Sequence, residues 1–183
     1  MEEEIIDIVT ASGEPTGKTA LKSDIHSKGY YHNTAHIWFY TKEGTILLAQ
    51  RAASKTICPL LWDVSVAGHI DSGETIETGA IREVEEEIGL KIKEKELHKI
   101  GVFECFQSYP NGIIDNEFHH TYISELNTTI ETLTPQTEEV EALKLVTIEA
   151  FKSLLANSEH NGHFVATNRN YYEIVINNIL KML

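Results

Sequence analysis

The side chains best placed to do chemistry in this sequence are three glutamates, Glu83, Glu86 and Glu87, spaced i, i+3 and i+4. On a helix turning about 100° per residue they share one arc of about 100°, beside an apolar stripe of Ile81, Val84 and Ile88. Like charges at that spacing destabilise a bare helix by roughly a few tenths of a kcal/mol per pair. A divalent cation relieves the repulsion, and hard carboxylate oxygens suit Mg²⁺ or Mn²⁺, which keep positions open for water and phosphate oxygens. A Glu-rich helix is most often only a solvated face, so the wider spacing decides. From Gly68 the chain runs five residues to Glu74 and seven more to Arg82-Glu83; apolar Val84, Glu86-Glu87, Gly89 and apolar Leu90 follow. With each fixed residue type near ~7% of average composition, a chance match in this length is on the order of one in ten million.

The elements that must position these groups follow from periodicity and turn chemistry. The spacing predicts a helix from about Glu74 to Ile88, stopped by Gly89. Further helices are expected at 148–157 and at about 168–182, the last with an apolar stripe of Tyr172, Val175, Ile179 and Met182. Residues 5–9 read as a short first strand ending at Ser12-Gly13, and 36–41 with 45–50 as a hairpin around Lys42-Glu43-Gly44. Strands are also expected at 62–67, 97–107, 116–124 and 140–147, with 125–138 as loop and Pro110-Asn111-Gly112 as a turn. No regular βαβ alternation appears, so the expected fold class is α/β (α+β), a mixed sheet with helices on both faces.

The Gly68–Leu90 pattern fits every position of the Nudix box, and the sequence resembles the Nudix hydrolases. The resemblance implies an α/β/α sandwich around a mixed sheet, covering about residues 35–155. It also implies roles. Glu83, Glu86 and Glu87 would hold Mg²⁺ or Mn²⁺ against a diphosphate, Arg82 and Glu74 would pair to brace the loop, and Gly68 would allow close backbone approach. The implied reaction is hydrolysis of a diphosphate joined to another moiety, with metal-activated water as nucleophile and one glutamate accepting its proton.

A second stretch narrows the resemblance. Gln50-Arg51, then Lys55, Pro59 and Trp62, resembles the isopentenyl-diphosphate isomerase branch of the same superfamily, where the Arg and Lys grip a diphosphate. This points to Arg51 and Lys55 as substrate-binding residues. The same branch implies a candidate second metal site at His26, His32, His69, Asp115 and Glu117; His26 is one residue out of register, and Asp115 stands where the isomerases have Glu. The isomerases place a catalytic cysteine before the Gly-His pair, and Ala67 stands there instead. A methyl group cannot deliver a proton to carbon, and Cys58, nine residues earlier, is out of register. The box is complete, so a hydrolase is expected over an isomerase or a non-catalytic nucleotide sensor.

The chain has 183 residues, 42% of them apolar, with 15 Lys+Arg against 28 Asp+Glu. Length and composition fit one folded domain with a C-terminal helix outside the motifs. A net charge of −13 argues against a nucleic-acid or anionic-membrane partner. The expected partner is a small diphosphate, with a homodimer as the assembly to test. The acidic start lacks the pattern of a signal peptide, no apolar run spans a bilayer, and Cys58 and Cys105 lack metal-finger spacing, so a cytoplasmic location is expected. Substrate specificity is expected outside the box, with the turn 108–112 as a candidate substrate loop by position. Phe106, Tyr109 and Phe118 are candidates to stack on a base, but packing is the expected role, since buried aromatics dominate cores.

Overall fold

The computed structural model describes residues 3–165 and 168–183. β1 (Ile5–Val9) pairs antiparallel with β2 (Pro15–Leu21) through a turn in which Gly13 holds φ +81°. The sequence reading found β1 and its turn and missed β2. Six of the seven β2 residues are exposed, so no alternation of burial marks it. The following α1 (Lys22–Lys28), also unforeseen, buries only Ile25 and stops at left-handed Gly29.

Seven strands form the central sheet among the described residues. β3 (Tyr31–Tyr40) lies parallel to β8 (Ile114–Glu125) over its whole length, and β8 pairs antiparallel with β7 (His98–Ser108). β4 (Thr45–Arg51) pairs antiparallel with β9 (Val140–Thr147), the strand expected at those residues. The hairpin expected from 36–41 and 45–50 is corrected: β3 and β4 meet at the single pair Tyr40↔Ile46 and then splay. The strand expected over 62–67 enters that fork in two pieces, β5 (Trp62–Asp63) against β4 and β6 (Val66–His69) against β3. Between them Ser65 closes the fork, its Oγ accepting from the Phe39 N–H (2.9 Å) and donating to the Leu47 carbonyl (2.6 Å). Buried backbone groups must find partners, and one hydroxyl serves both strands where their ladder fails.

Strand alternation divides the core in two. Ala35, Ile37 and Phe39 face α2 (Ile76–Ile88), which contributes Ala80, Val84 and Ile88. Trp38 and Tyr40 face α3 (Ile148–Ala156) and α4 (Arg169–Met182) through Phe151, Tyr171, Tyr172, Val175 and Ile179. The mixed-sheet α/β/α sandwich is therefore as expected. α2 starts two residues later than expected, because Thr75 caps it by accepting from the Thr78 N–H (3.1 Å), leaving Glu74 outside the helix. Ile81 is only half-buried; Gly79 and Ala80 take the inner position, letting the helix approach the sheet. Gly89 ends α2 at φ +69° as expected, and any side chain there would overlap Thr134 Oγ1. In α4 the stripe stops at Ile179, and Met182 is 47% exposed on the final turn, beyond the edge of the core. Residues 126–138 are irregular apart from a tight turn at Ile130–Thr132. No helix among the described residues is long and apolar enough to cross a membrane.

Candidate active site

α2 and the loop before it assemble the box residues. Arg82 forks Glu74 with Nε and one terminal nitrogen, both at 3.0 Å, and the same nitrogen donates to the His69 carbonyl at 3.0 Å. Its other terminal nitrogen donates to Glu83 (2.8 Å) and Glu86 (3.0 Å). The expected Arg82–Glu74 brace is thus a bidentate, charge-assisted pair. Burial works against the Arg82 cation, but hydrogen bonds to Glu74 and Glu83 and their charges outweigh it and hold the guanidinium ionised. Gly68 lies directly under Glu83, where any Cβ would overlap the carboxylate.

Glu83, Glu86 and Glu87 share one side of α2 at different depths. Glu86 is exposed, Glu83 is partly buried and Glu87 is buried. Burial first, then the neighbouring Glu83 charge, pushes the Glu87 carboxyl up to about 8, while Lys55 and Arg51 pull the other way. A buried acid beside a like charge is a place where a divalent cation is favourable, and carboxylate oxygens are donors that suit Mg²⁺ or Mn²⁺. Glu83 and Glu86 turn to Arg82, however, and the three carboxylates are not drawn within 4.8 Å of one another.

The charges of Arg51 and Lys55 both favour the ionised form of Glu87. Arg51 rests on Asp63 (3.4 Å) and donates to the Ile57 carbonyl (3.0 Å), and Lys55 pairs with Glu139. Cys58 and Leu60, in the loop that presents Lys55, adopt φ +48° and +62°, a strained conformation for residues with side chains.

The second expected cluster is also brought together. Successive residues of β6 serve opposite faces, with Gly68 under Glu83 and His69 among His26 and His32. His26, His32, His69 and Glu117 each offer one ligand atom within 4.8 Å of the others. His26 Nε2 lies 3.3 Å from His69 Nε2 and 3.3 Å from Asp115 Oδ1, and His32 Nε2 lies 3.5 Å from Glu117 Oε1. His32 Nε2 and Asp115 Oδ1 are buried without a hydrogen bond, a cost that a bound cation removes. Burial and the Glu117 charge raise Asp115 to about 6, and burial holds His69 well below the usual imidazole range, in its ligand form. The residues present therefore fit a divalent ion.

Sequence reasoning missed His36, His119 and Tyr171. Burial opposes the Glu117 charge, yet the hydrogen bond from His119 (Nε2–Oε2, 2.7 Å) and the nearness of His119 and His32 keep its carboxyl well below the ordinary range. His36 stacks on His119 at 3.8 Å between centroids, and Tyr171 from α4 bonds the His36 ring at 3.0 Å. The available signal was the even spacing of His32 with His36 on one strand and of Glu117 with His119 on another. Among the aromatic candidates, Phe118 is buried against Tyr31 and Phe106, Tyr109 donates to Gln107 (2.6 Å), and Phe106 is 44% exposed.

Residues 30–167 match the family model of the NUDIX domain. An uncharacterised Nudix hydrolase of Clostridium acetobutylicum is 42% identical over 161 residues, 86% of this chain and 76% of that protein. Nudix hydrolase 3 of Arabidopsis thaliana is 38% identical over 164 residues, covering 87% of this chain, which spans only 21% of that relative's length. Isopentenyl-diphosphate Delta-isomerase 2 of Photorhabdus laumondii is 34% identical over 125 residues, 68% of each chain. A crystal structure from Deinococcus radiodurans shares the fold at TM-score 0.68 and 21% identity, covering 93% of this chain and 97% of that one. With an intact box, isomerase-like flanks and Ala67 in place of the isomerase cysteine, the chain belongs to the Nudix family, as a Nudix hydrolase of its isopentenyl-diphosphate isomerase-like branch.

Proposed function

We propose that this Nudix hydrolase cleaves a diphosphate linkage in a nucleoside diphosphate derivative or a similarly small organic diphosphate, in a reaction that depends on Mg²⁺ or Mn²⁺ held by Glu83, Glu86 and Glu87. The observation that carries the reading is the depth-graded row of carboxylates on one side of α2. Its buried member, Glu87, is short of positive charge although Arg51 and Lys55 act on it. A divalent ion bound there supplies charge neutralisation at the phosphate oxygens and a water of lowered pKa. Arg51 and Lys55 bind and orient the diphosphate, exchanging their carboxylate partners Asp63 and Glu139 for phosphate oxygens. Gly68 leaves room for Glu83, and Arg82, braced on Glu74, fixes the loop to the helix. One box glutamate accepts the proton of the attacking water.

The test is a panel of nucleotides, nucleotide sugars, dinucleotides, and thiamine and prenyl diphosphates with and without Mg²⁺ or Mn²⁺. Metal-dependent release of a phosphorylated product, lost in Glu86→Gln and Glu87→Gln, is the expected result. Absence of turnover on every class, or turnover indifferent to those substitutions, would sink the proposal. Conversion of isopentenyl to dimethylallyl diphosphate would replace it with an isomerase, an outcome that Ala67 argues against because it has no transferable proton.

A further inference from the structure

We propose that Glu117 bridges two divalent cations: one held with His26, His32, His69 and Asp115, and a second held by His36, His119 and the other oxygen of the same carboxylate. The inference takes the first cluster as a metal site and adds the second; it does not involve the box glutamates.

The two oxygens of Glu117 part company. Oε1 faces His32 Nε2 at 3.5 Å, and Oε2 faces His119 Nε2 at 2.7 Å. A carboxylate turned this way between two imidazole groups has the form of a bridge in two-metal sites, where the ions sit about 3.5–4 Å apart. His36, His119 and Glu117 each offer a ligand atom within 4.8 Å of the other two, so Glu117 belongs to both clusters. β3 and β8 create the arrangement. Their parallel register sets His32 beside Glu117 and His36 beside Thr121, so His32 and His36 share a face with Glu117 and His119.

A hydrogen-bonded support fixes His36. Its Nδ1 lies 3.0 Å from the Tyr171 hydroxyl, and that hydroxyl accepts from the Trp38 indole N–H at 2.8 Å. With His36 Nδ1–H donating to this hydroxyl, Nε2 is the nitrogen left for a metal, the usual outer support of a ligating histidine. Two imidazoles and one carboxylate leave coordination positions open. His119 also lines a cavity of about 210 Å³ with Phe103, Cys105, Gln107, Asn168 and Tyr171, from which water or a ligand oxygen can fill them. Imidazole-rich donors favour Co²⁺ or Zn²⁺ over Mg²⁺, unlike the all-oxygen box.

The test uses the full chain carrying Glu83→Gln, Glu86→Gln and Glu87→Gln, so that failure of the box reading cannot imitate failure of this one. The protein is stripped with chelator, loaded with Co²⁺ or Mn²⁺ and desalted. Metal is counted by mass spectrometry, and the Mn²⁺ form is examined by electron paramagnetic resonance. The expected result is two ions per chain with a spin-coupled Mn²⁺ spectrum. His36→Gln and His119→Gln should each leave one ion and an uncoupled spectrum. Tyr171→Phe, which leaves all ligands in place, should weaken the second site about 10–100-fold. Circular dichroism confirms that each variant is folded. Fewer than two ions per chain, an uncoupled spectrum in the parent, or two ions retained in both histidine variants would overturn the proposal.

Discussion

Gly68 and Glu87 set the terms at the scale of single residues. A methyl group at Gly68 would occupy the space of the Glu83 carboxylate, and the strand offers no room to retreat because Ala35 pairs with Gly68 across the ladder. Gly68→Ala is therefore expected to displace Glu83 and lower kcat/KM by roughly 100-fold, while thermal melting shows a folded protein. Glu87→Gln should reduce turnover by roughly 10²–10⁴-fold, with a separate signature in stability. Burial raises the folded Glu87 carboxyl from 4.5 to about 8, so metal-free folded protein binds more protons than the unfolded chain between those values. Its stability then falls as pH rises across that window. Chemical denaturation at several pH values should show this decline in the parent and a flatter profile in Glu87→Gln; an unchanged slope would contradict the burial account. These residues were legible in the sequence because the box is local: Gly68 to Leu90 is the end of β6, one loop and one helix, and helical geometry alone puts Glu83, Glu86 and Glu87 on one side of α2.

Among the elements, pairing over long range decided what local signals could not. Lys42-Glu43-Gly44 has the composition of a hairpin turn, and a turn forms there, yet β3 and β4 share one pair before β5 and β6 enter between them. No short window contains that event, since it depends on residues some twenty positions downstream finding two half-empty strand edges. Ser65 is the cost of the arrangement made visible. Ser65→Ala would leave the Phe39 N–H and the Leu47 carbonyl buried without this partner, and it should lower unfolding free energy by about 1–3 kcal/mol, read from denaturant titration. A second contact joins α2 to β8: the Tyr122 hydroxyl donates to Glu77 at 2.7 Å and lowers the Glu77 carboxyl below its usual 4.5. The folded value is depressed, so this increment is present above pH 4.5 and fades as pH falls through the lowered value. Tyr122→Phe should cost about 1 kcal/mol at neutral pH, with the difference from the parent shrinking in acid.

For the whole molecule, the sandwich brings groups from distant parts of the chain around β6. α1 supplies His26, β3 supplies His32, β8 supplies Asp115 and Glu117, and α4 reaches in with Tyr171. His26, His32, His69, Asp115 and Glu117 were legible only through family resemblance, because the parallel β3–β8 register that unites them is invisible to local spacing. If this cluster holds a cation in the folded state alone, Mn²⁺ at 100 times its Kd should add about 2.7 kcal/mol, or roughly 5–10 °C in Tm for a chain of this size. A chelated sample provides the baseline, and an unchanged Tm would speak against a folded-state metal site.

The pleat of β6 has a consequence for how this chain can change over time. Glycine and histidine sit side by side in it and answer to opposite faces of the sheet, so gaining or losing one residue between Ser65 and Gly68 would swap their audiences. Imidazole would then confront the acidic helix, and the gap would open where a ligand is wanted. A length change in this stretch is therefore expected to disturb both clusters at once, whereas a substitution can touch one and spare the other.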